Sequence, residues 1–261
     1  MSRICPLFSS SSGNSTYIST PSGGVLIDAG ASFKGICEAL DRVGGSIEDI
    51  KAVAVTHNHN DHIKGLKTFL KRTGALLIAT EKTAQALIGE DIIPEKTDIQ
   101  IIENSLDLFD MKISAFDTSH DSLGSCGYSV TDSKGKKITV CTDLGFVSES
   151  VRNAIRGSNA ILLESNHDIE MLKSGPYPPQ LKLRILSDSG HISNSACASE
   201  LKGLIESGTT RFILGHLSQH NNTPLLALSC SEAALIDAGA VNGRDCILSV
   251  ASPKNNGVTV I

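Results

Sequence analysis

His57-Asn58-His59-Asn60-Asp61-His62 follows, after Thr56, the apolar run Ile50-Lys51-Ala52-Val53-Ala54-Val55. Three of the chain's eight histidines and one aspartate fall within those six positions. A buried strand ending in such a turn can aim imidazoles and a carboxylate at one point, which is how a protein builds a site for two divalent metals. A packed core has no use for the run, because burying that many polar groups without metal or partners is costly.

Other histidines and carboxylates occupy comparable places. His120 comes after the strand-like run ending near Phe116, Asp143 after Ile138-Thr139-Val140-Cys141-Thr142, and Glu164 ends Ile161-Leu162-Leu163. His191 sits in Gly190-His191-Ile192-Ser193 and His216 in Phe212-Ile213-Leu214-Gly215-His216. Each stands just past an apolar run or beside a glycine, where backbone can approach a site closely. Singly, each is an ordinary satisfied polar residue; with the 57–62 run they form an ordered set.

The chain between these points alternates short β-rich runs with helical ones. Residues 17–18 and 25–27 read as an antiparallel pair around Pro21-Ser22-Gly23-Gly24. Helical spacing of apolar residues predicts helices over 33–43 and 61–72, and 83–87, 148–156, 193–206 and 224–238 also read as helical, the third of these with Ser193 or Asn194 as its cap. Strands are expected at 53–56, 75–79, 99–102, 111–116, 127–131, 137–141, 160–164, 211–214, 247–250 and 257–261. Interleaving in both halves predicts an α/β (α+β) protein with two sheets packed together and helices outside. With 261 residues, 40% hydrophobic and 20% charged, the chain is expected to form a single domain over 1–261.

Seven scattered cysteines without a Cys-x-x-Cys pair point to reduced thiols in the cytoplasm, not to a disulfide frame. No stretch approaches the length of a membrane span, and the N-terminus turns polar too soon for a signal peptide. A net charge of −5 is not the global signature of a nucleic-acid binder, though catalytic metals attract phosphates. The absence of Trp and an aromatic content of 4% argue against a large base-stacking platform.

His-x-His-x-Asp-His at 57–62, then His120, Asp143 and His216 in that order, resembles the metallo-β-lactamase superfamily of dinuclear metallohydrolases over essentially the whole chain. The resemblance implies a four-layer αββα sandwich. The paired late motifs Gly190-His191-Ile192-Ser193 and Gly215-His216-Leu217-Ser218 resemble the tRNA 3′-processing and related phosphodiesterase branch. Ser9-Ser10-Ser11-Ser12-Gly13-Asn14-Ser15 and Gly175-Pro176-Tyr177-Pro178-Pro179-Gln180-Leu181-Lys182 are similar to the YycJ (WalJ) subfamily, associated with 5′-to-3′ exonuclease activity on DNA and with bacterial mismatch repair.

Carried over by position, the superfamily pattern implies that His57, His59 and His120 hold one metal, that Asp61, His62 and His216 hold a second, and that Asp143 bridges them. Two divalent ions, Zn, Mn or Fe, would share a hydroxide that attacks phosphorus. His191, held by Glu164, would give the leaving oxygen its proton. Asp28 is expected to orient a ligand histidine from behind. Ser12 and Asn14 in the 9–15 loop, together with Lys182, are candidates for substrate phosphate, and Arg184 for a nucleic-acid backbone. His167 and His220 carry no assigned role, and Lys64, Lys67 and Lys71 read as a solvated helix face. The short interval from Asp143 to His216 leaves no room for the inserted domain of the β-CASP nucleases. DNA is the expected substrate, with RNA or a small, cyclic phosphodiester as the alternative. A thiolesterase or lactonase, and a metal-binding regulator without catalysis, fit the set less well.

Overall fold

The computed structural model describes residues 1–254 and 256–261. The chain opens with β1 (Arg3–Ser10), β2 (Gly13–Thr20) and β3 (Gly23–Ile27), then α1 (Phe33–Arg42) and β4 (Ile50–Ala54). Two helices, α2 (Asn60–Ile63) and α3 (Leu66–Thr73), lead to β5 (Leu76–Ala79), α4 (Glu81–Gly89) and β6 (Ile99–Ile101). Next come β7 (Ser105–Leu108), β8 (Met111–Asp117), β9 (Cys126–Asp132), β10 (Lys137–Cys141), α5 (Glu149–Ile155) and β11 (Ala160–Glu164). The remaining elements are α6 (Ile169–Ser174), α7 (Pro179–Ile185), α8 (Asn194–Glu206), β12 (Arg211–Gly215), α9 (Pro224–Asp237), β13 (Ile247–Val250) and β14 (Thr259–Val260).

The strands form two sheets, ordered β14-β1-β2-β3-β4-β5-β6 and β13-β12-β11-β10-β9-β8-β7. In the first, β3, β4, β5 and β6 run parallel; in the second, β10, β11, β12 and β13 do. Alternate side chains of these central strands serve different layers, because successive residues of a strand point to opposite faces. Ala52 and Ala54 join Ala160, Leu162 and Ile213 between the sheets. Val53 and Val55 pack with Ile36, Leu40, Leu66 and Phe69 of the first helical layer, and Ile161 and Leu163 with Val151, Leu201 and Leu235 of the second. Helix, sheet, sheet, helix is the αββα sandwich. Central strands buried on both faces explain the near-continuous apolar runs in the sequence.

Two local expectations are corrected, and one motif acquires a structure. The 61–72 helix is two helices, broken at Lys64-Gly65. There the chain docks on the segment after β3: Gly65 N–H donates to the Ala29 carbonyl, and a Cβ on Gly65 would lie 1.9 Å from the Ala31 carbonyl oxygen. The 9–15 stretch is not a loop but the ends of β1 and β2, paired Ser9 to Asn14 and Ser10 to Gly13 across a turn at Ser11-Ser12. The proline-bearing stretch from Pro179, read only as a motif, is α7, with proline in its first turn where its missing N–H costs nothing. Among the described residues no helix is long and apolar enough to cross a membrane.

Candidate active site

The polar residues gather where the central strands of both sheets end. Asp28 follows β3 and the 57–62 run follows β4; His120, Asp143 and His216 follow β8, β10 and β12, and Glu164 ends β11. Asp28, Asp143 and His216 all adopt left-handed backbone, with φ of 61°, 62° and 55°. That conformation costs a non-glycine residue about 1–2 kcal/mol, and it is held here by neighbouring bonds: Asp28 N–H to the Ala54 carbonyl, and His216 N–H to Ser9 Oγ. Each strand thereby ends abruptly and turns its next side chain into the seam between the sheets.

The side chains converge into overlapping clusters. His57, His59 and His120 form one; Asp61, His62 and His216 form a second; His57, His62 and Asp143 form a third, with ligand atoms in each set within 4.8 Å of one another. Rear hydrogen bonds decide which ring nitrogen faces inward. His57 Nδ1 lies 3.0 Å from Thr56 Oγ1, and His62 Nδ1 lies 2.8 Å from Asp28 Oδ2. His120 Nδ1 donates to the Gly190 carbonyl at 3.1 Å, so its Nε2 presents a lone pair to His59 Nδ1 at 3.2 Å. Asp28 also accepts the Thr56 N–H and hydroxyl, so one buried carboxylate fixes both the end of β4 and the His62 ring.

Glu164 acts on two imidazoles. His191 Nδ1 donates to its Oε1 at 2.9 Å and His216 Nδ1 to the same oxygen at 2.7 Å, while the Leu144 and Ile192 N–H groups donate to Oε2. Burial alone would raise this carboxyl; the nearby imidazoles and these bonds hold it down at about 2. Both rings therefore carry a proton on Nδ1 and turn Nε2 away from Glu164. The sequence reading linked Glu164 to His191 but missed His216, because no spacing pattern reports a shared acceptor.

The two main clusters differ in charge. Burial and mutual repulsion lower His57, and burial with the adjoining imidazoles lowers His59 and His120, so three neutral rings face one another. In the other cluster burial opposes the imidazolium, but Asp143 and Asp28 push His62 up to about 10 and Asp143 with Asp61 and Glu164 pushes His216 well above its usual value. Protons on these two rings offset only part of the charge of Asp28, Asp61, Asp143 and Glu164. His57 Nε2, Asp143 Oδ2 and His216 Nε2 are buried without a hydrogen-bond partner. Inward lone pairs, unpartnered buried atoms and carboxylates in excess fit divalent cations, which such N and O donors suit.

A cleft of about 230 Å³ opens over the clusters, lined by His59, Asp61, Asp143, His191 and His216 on its floor. Other expected residues fall as follows. Asn14 is buried inside the second cluster, its amide donating to Asp61 Oδ2 and 3.0 Å from His62 Nε2, so it is not on an open phosphate-binding loop. Ser12 is exposed on the β1–β2 turn, and its neighbour Ser11 lines the cleft instead. Lys182 points away, its ammonium on the Lys173 carbonyl; Arg184, two residues on, reaches the cleft. His167 is buried outside the clusters, and His220 is exposed against Tyr177. Asn166 lines the cleft and ties the His216 carbonyl; its place just past β11 was the available signal. Lys67 pairs with Asp91 on the surface.

The profile of the metallo-β-lactamase superfamily matches residues 10–216, and the chain belongs to that superfamily. It is 35% identical over 251 residues to exodeoxyribonuclease YycJ of Bacillus anthracis, covering 95% of this chain and 94% of that one. To exodeoxyribonuclease WalJ of Streptococcus pneumoniae serotype 2 it is 37% identical over 225 residues, 85% and 83% of the two chains. Within the superfamily it is therefore of the YycJ type. In fold it is similar to the Zn²⁺-bound PqqB of Methylobacterium extorquens (TM-score 0.72, 15% identity, 99% and 100% covered) and to the short form of human tRNase Z (0.59, 16%, 83% and 93%). At such identities the likeness shows the fold alone.

Proposed function

We propose that the protein is a metal-dependent phosphodiesterase acting as a 5′-to-3′ exonuclease on DNA. The observation that carries this reading is the pair of clusters joined by Asp143, with His191 oriented beside them by Glu164. The names of the YycJ and WalJ relatives support DNA as substrate, while polarity and a place in mismatch repair rest on resemblance to the subfamily. In this reading residues 1–261 work as a single domain in the cytoplasm.

His57, His59 and His120 would hold one divalent ion and Asp61, His62 and His216 another, with Asp143 facing both; Zn, Mn or Fe suits this donor set. The chemistry supplied by ions bound there would be a pKa of water lowered from 15.7 to about 7 and charge offset on a phosphate oxygen. The chain supplies the rest. Asp28, Thr56 and the Gly190 carbonyl lock ring orientations from behind, which keeps the donors in place between turnovers. His191, fixed through Nδ1, turns Nε2 to the cleft, where in its imidazolium form it would give the Nε2 proton to the leaving oxygen, a contribution of about 10²–10⁴-fold. The small cleft favours a chain end over the middle of a strand, and it equally suits a small phosphodiester, the second reading.

The test is a cleavage assay in Mn²⁺ or Zn²⁺ on 5′-labelled double-stranded DNA, matched RNA and bis-p-nitrophenyl phosphate, with wild type and Asp143→Ala. Stepwise loss of DNA from the 5′ end, absent in the variant and after chelation, is expected. Cleavage of the small diester alone would move the protein to the second reading, and no metal-dependent cleavage would remove both.

A further inference from the structure

One wall of the cleft comes from a segment that the metal clusters do not use. Residues 175–178 and α7 bring Tyr177, Leu181, Arg184 and Ile185 to it. The segment is clamped at several points. A Cβ on Gly190 would lie 2.2 Å from the Ile185 carbonyl oxygen, one on Gly145 2.3 Å from that of Asp188, and one on Gly175 2.5 Å from Asn221 Oδ1. Pro176, Pro178 and Pro179 restrict φ on both sides of Tyr177. This is a preformed wall, and little ordering is needed for its side chains to bind.

Two of those side chains carry complementary chemistry. Asp121 grips the Arg184 guanidinium from one side, accepting from Nε at 2.5 Å and from Nη2 at 3.0 Å. No hydrogen bond engages Nη1 among the described residues, so the fork is aimed and still has donors to give. Imidazoles aside, Arg184 is the cation and Tyr177 the aromatic ring among the described residues lining the cleft. Tyr177 is half-buried, and His220 braces its ring edge-on at 5.7 Å. At about 230 Å³ the cleft is below the usual size of a drug-sized ligand pocket, so it takes one nucleotide-sized group and not a stacked run.

We propose that Arg184 and Tyr177 form a subsite for a single nucleotide, Arg184 donating to a non-bridging phosphate oxygen and Tyr177 stacking on the adjoining base. Asp121 is the positioning residue for Arg184. The inference rests on the phosphodiesterase reading of the cleft and adds to it how a chain end would be seated.

Calorimetric binding of thymidine 5′-monophosphate and of deoxyribose 5-phosphate, with divalent metal present, tests the subsite without requiring cleavage. Tyr177→Ala should weaken the nucleotide on the order of tenfold and leave the sugar phosphate unchanged. Tyr177→Phe, which keeps the ring, should bind both as wild type does. Arg184→Ala should weaken both ligands on the order of tenfold, and Arg184→Lys should recover part of the loss, since it restores charge but not the fork. Equal loss of both ligands in Tyr177→Ala, or wild-type binding by Arg184→Ala, would overturn the proposal. Failure of the exonuclease reading would show separately, as nucleotide bound with this selectivity but no DNA cleaved.

Discussion

The layer between the two sheets has a dry body and a wet end, and they treat burial in opposite ways. Where the body meets that end, Cys126 is fully enclosed in one cluster with Ile27, Ile113 and Val130, its thiol on the Thr56 carbonyl, and burial pushes the thiol up to about 12. At the end of the same layer Glu164 is as fully enclosed, yet it stays charged at about 2, and His62 keeps a proton up to about 10. Low dielectric penalises an ion only when nothing answers it; with opposite charges and hydrogen bonds at 2.7–2.9 Å the same enclosure strengthens the attraction. Depth alone therefore does not separate core from site here. Partners do.

Replacing Glu164 by Gln is the sharpest way to break this contrast. An amide cannot accept from two imidazoles on one side and two backbone N–H groups on the other, so a donor is left facing a donor. Turnover should fall on the order of 10³–10⁴-fold, as expected when an orienting carboxylate is neutralised, and thermal melting should show a loss of about 1–3 kcal/mol for the unsatisfied group. An unchanged rate would refute the two-handed role given to Glu164. His191→Ala should cost about 10²–10⁴-fold in turnover while metal content, measured by elemental analysis, stays at the wild-type value. Loss of metal in that variant would make His191 a ligand.

Asp28→Asn probes the wet end from behind. It should weaken metal binding about 10–100-fold, seen in competition with a chromophoric chelator. The buried thiol of Cys126 is tested by alkali. A thiol whose folded pKa is raised stabilises the fold fully below its unfolded value of 9.0, and that stability is lost as pH rises toward about 12. In that window the unfolded thiol has released its proton and the native one has not, so for Cys126 stability should fall by about 1.4 kcal/mol per pH unit. Denaturant melts of wild type and Cys126→Ala between pH 9 and 11, their slopes differing by that amount, would sharpen the comparison; identical slopes would undo it.

The sandwich was readable because its central strands are apolar on both faces and α1 and α3 carry period-3.6 stripes. The gathering of His57, His59, Asp61, His62, His120, Asp143 and His216 was readable because each follows an apolar run, so strand ends and site coincide. What escaped depends on contacts distant in sequence. Gly65 breaks a helix because Ala29 and Ala31 lie against it, and nothing in the 61–72 periodicity reports them. Serines and Asn14 hide the alternation of β1 and β2, since their inward side chains are polar and bonded across the seam, as Ser9 is to His216 N–H. Lys182 and Arg184 look alike on paper, but on α7 only the second is turned to the cleft.

The site draws on both sheets. His57, His59, Asp61 and His62 come from the strand ends of the first, His120, Asp143 and His216 from the second, and each of the two main clusters takes members from both. An ion seated in either would be a cross-link between the two halves of the molecule. Ions at about a hundred times their dissociation constant would add about 2.7 kcal/mol to the folded state. Metal supply would then govern how long the protein survives proteases as well as how fast it turns over: a starved cell would lose the molecule along with its chemistry.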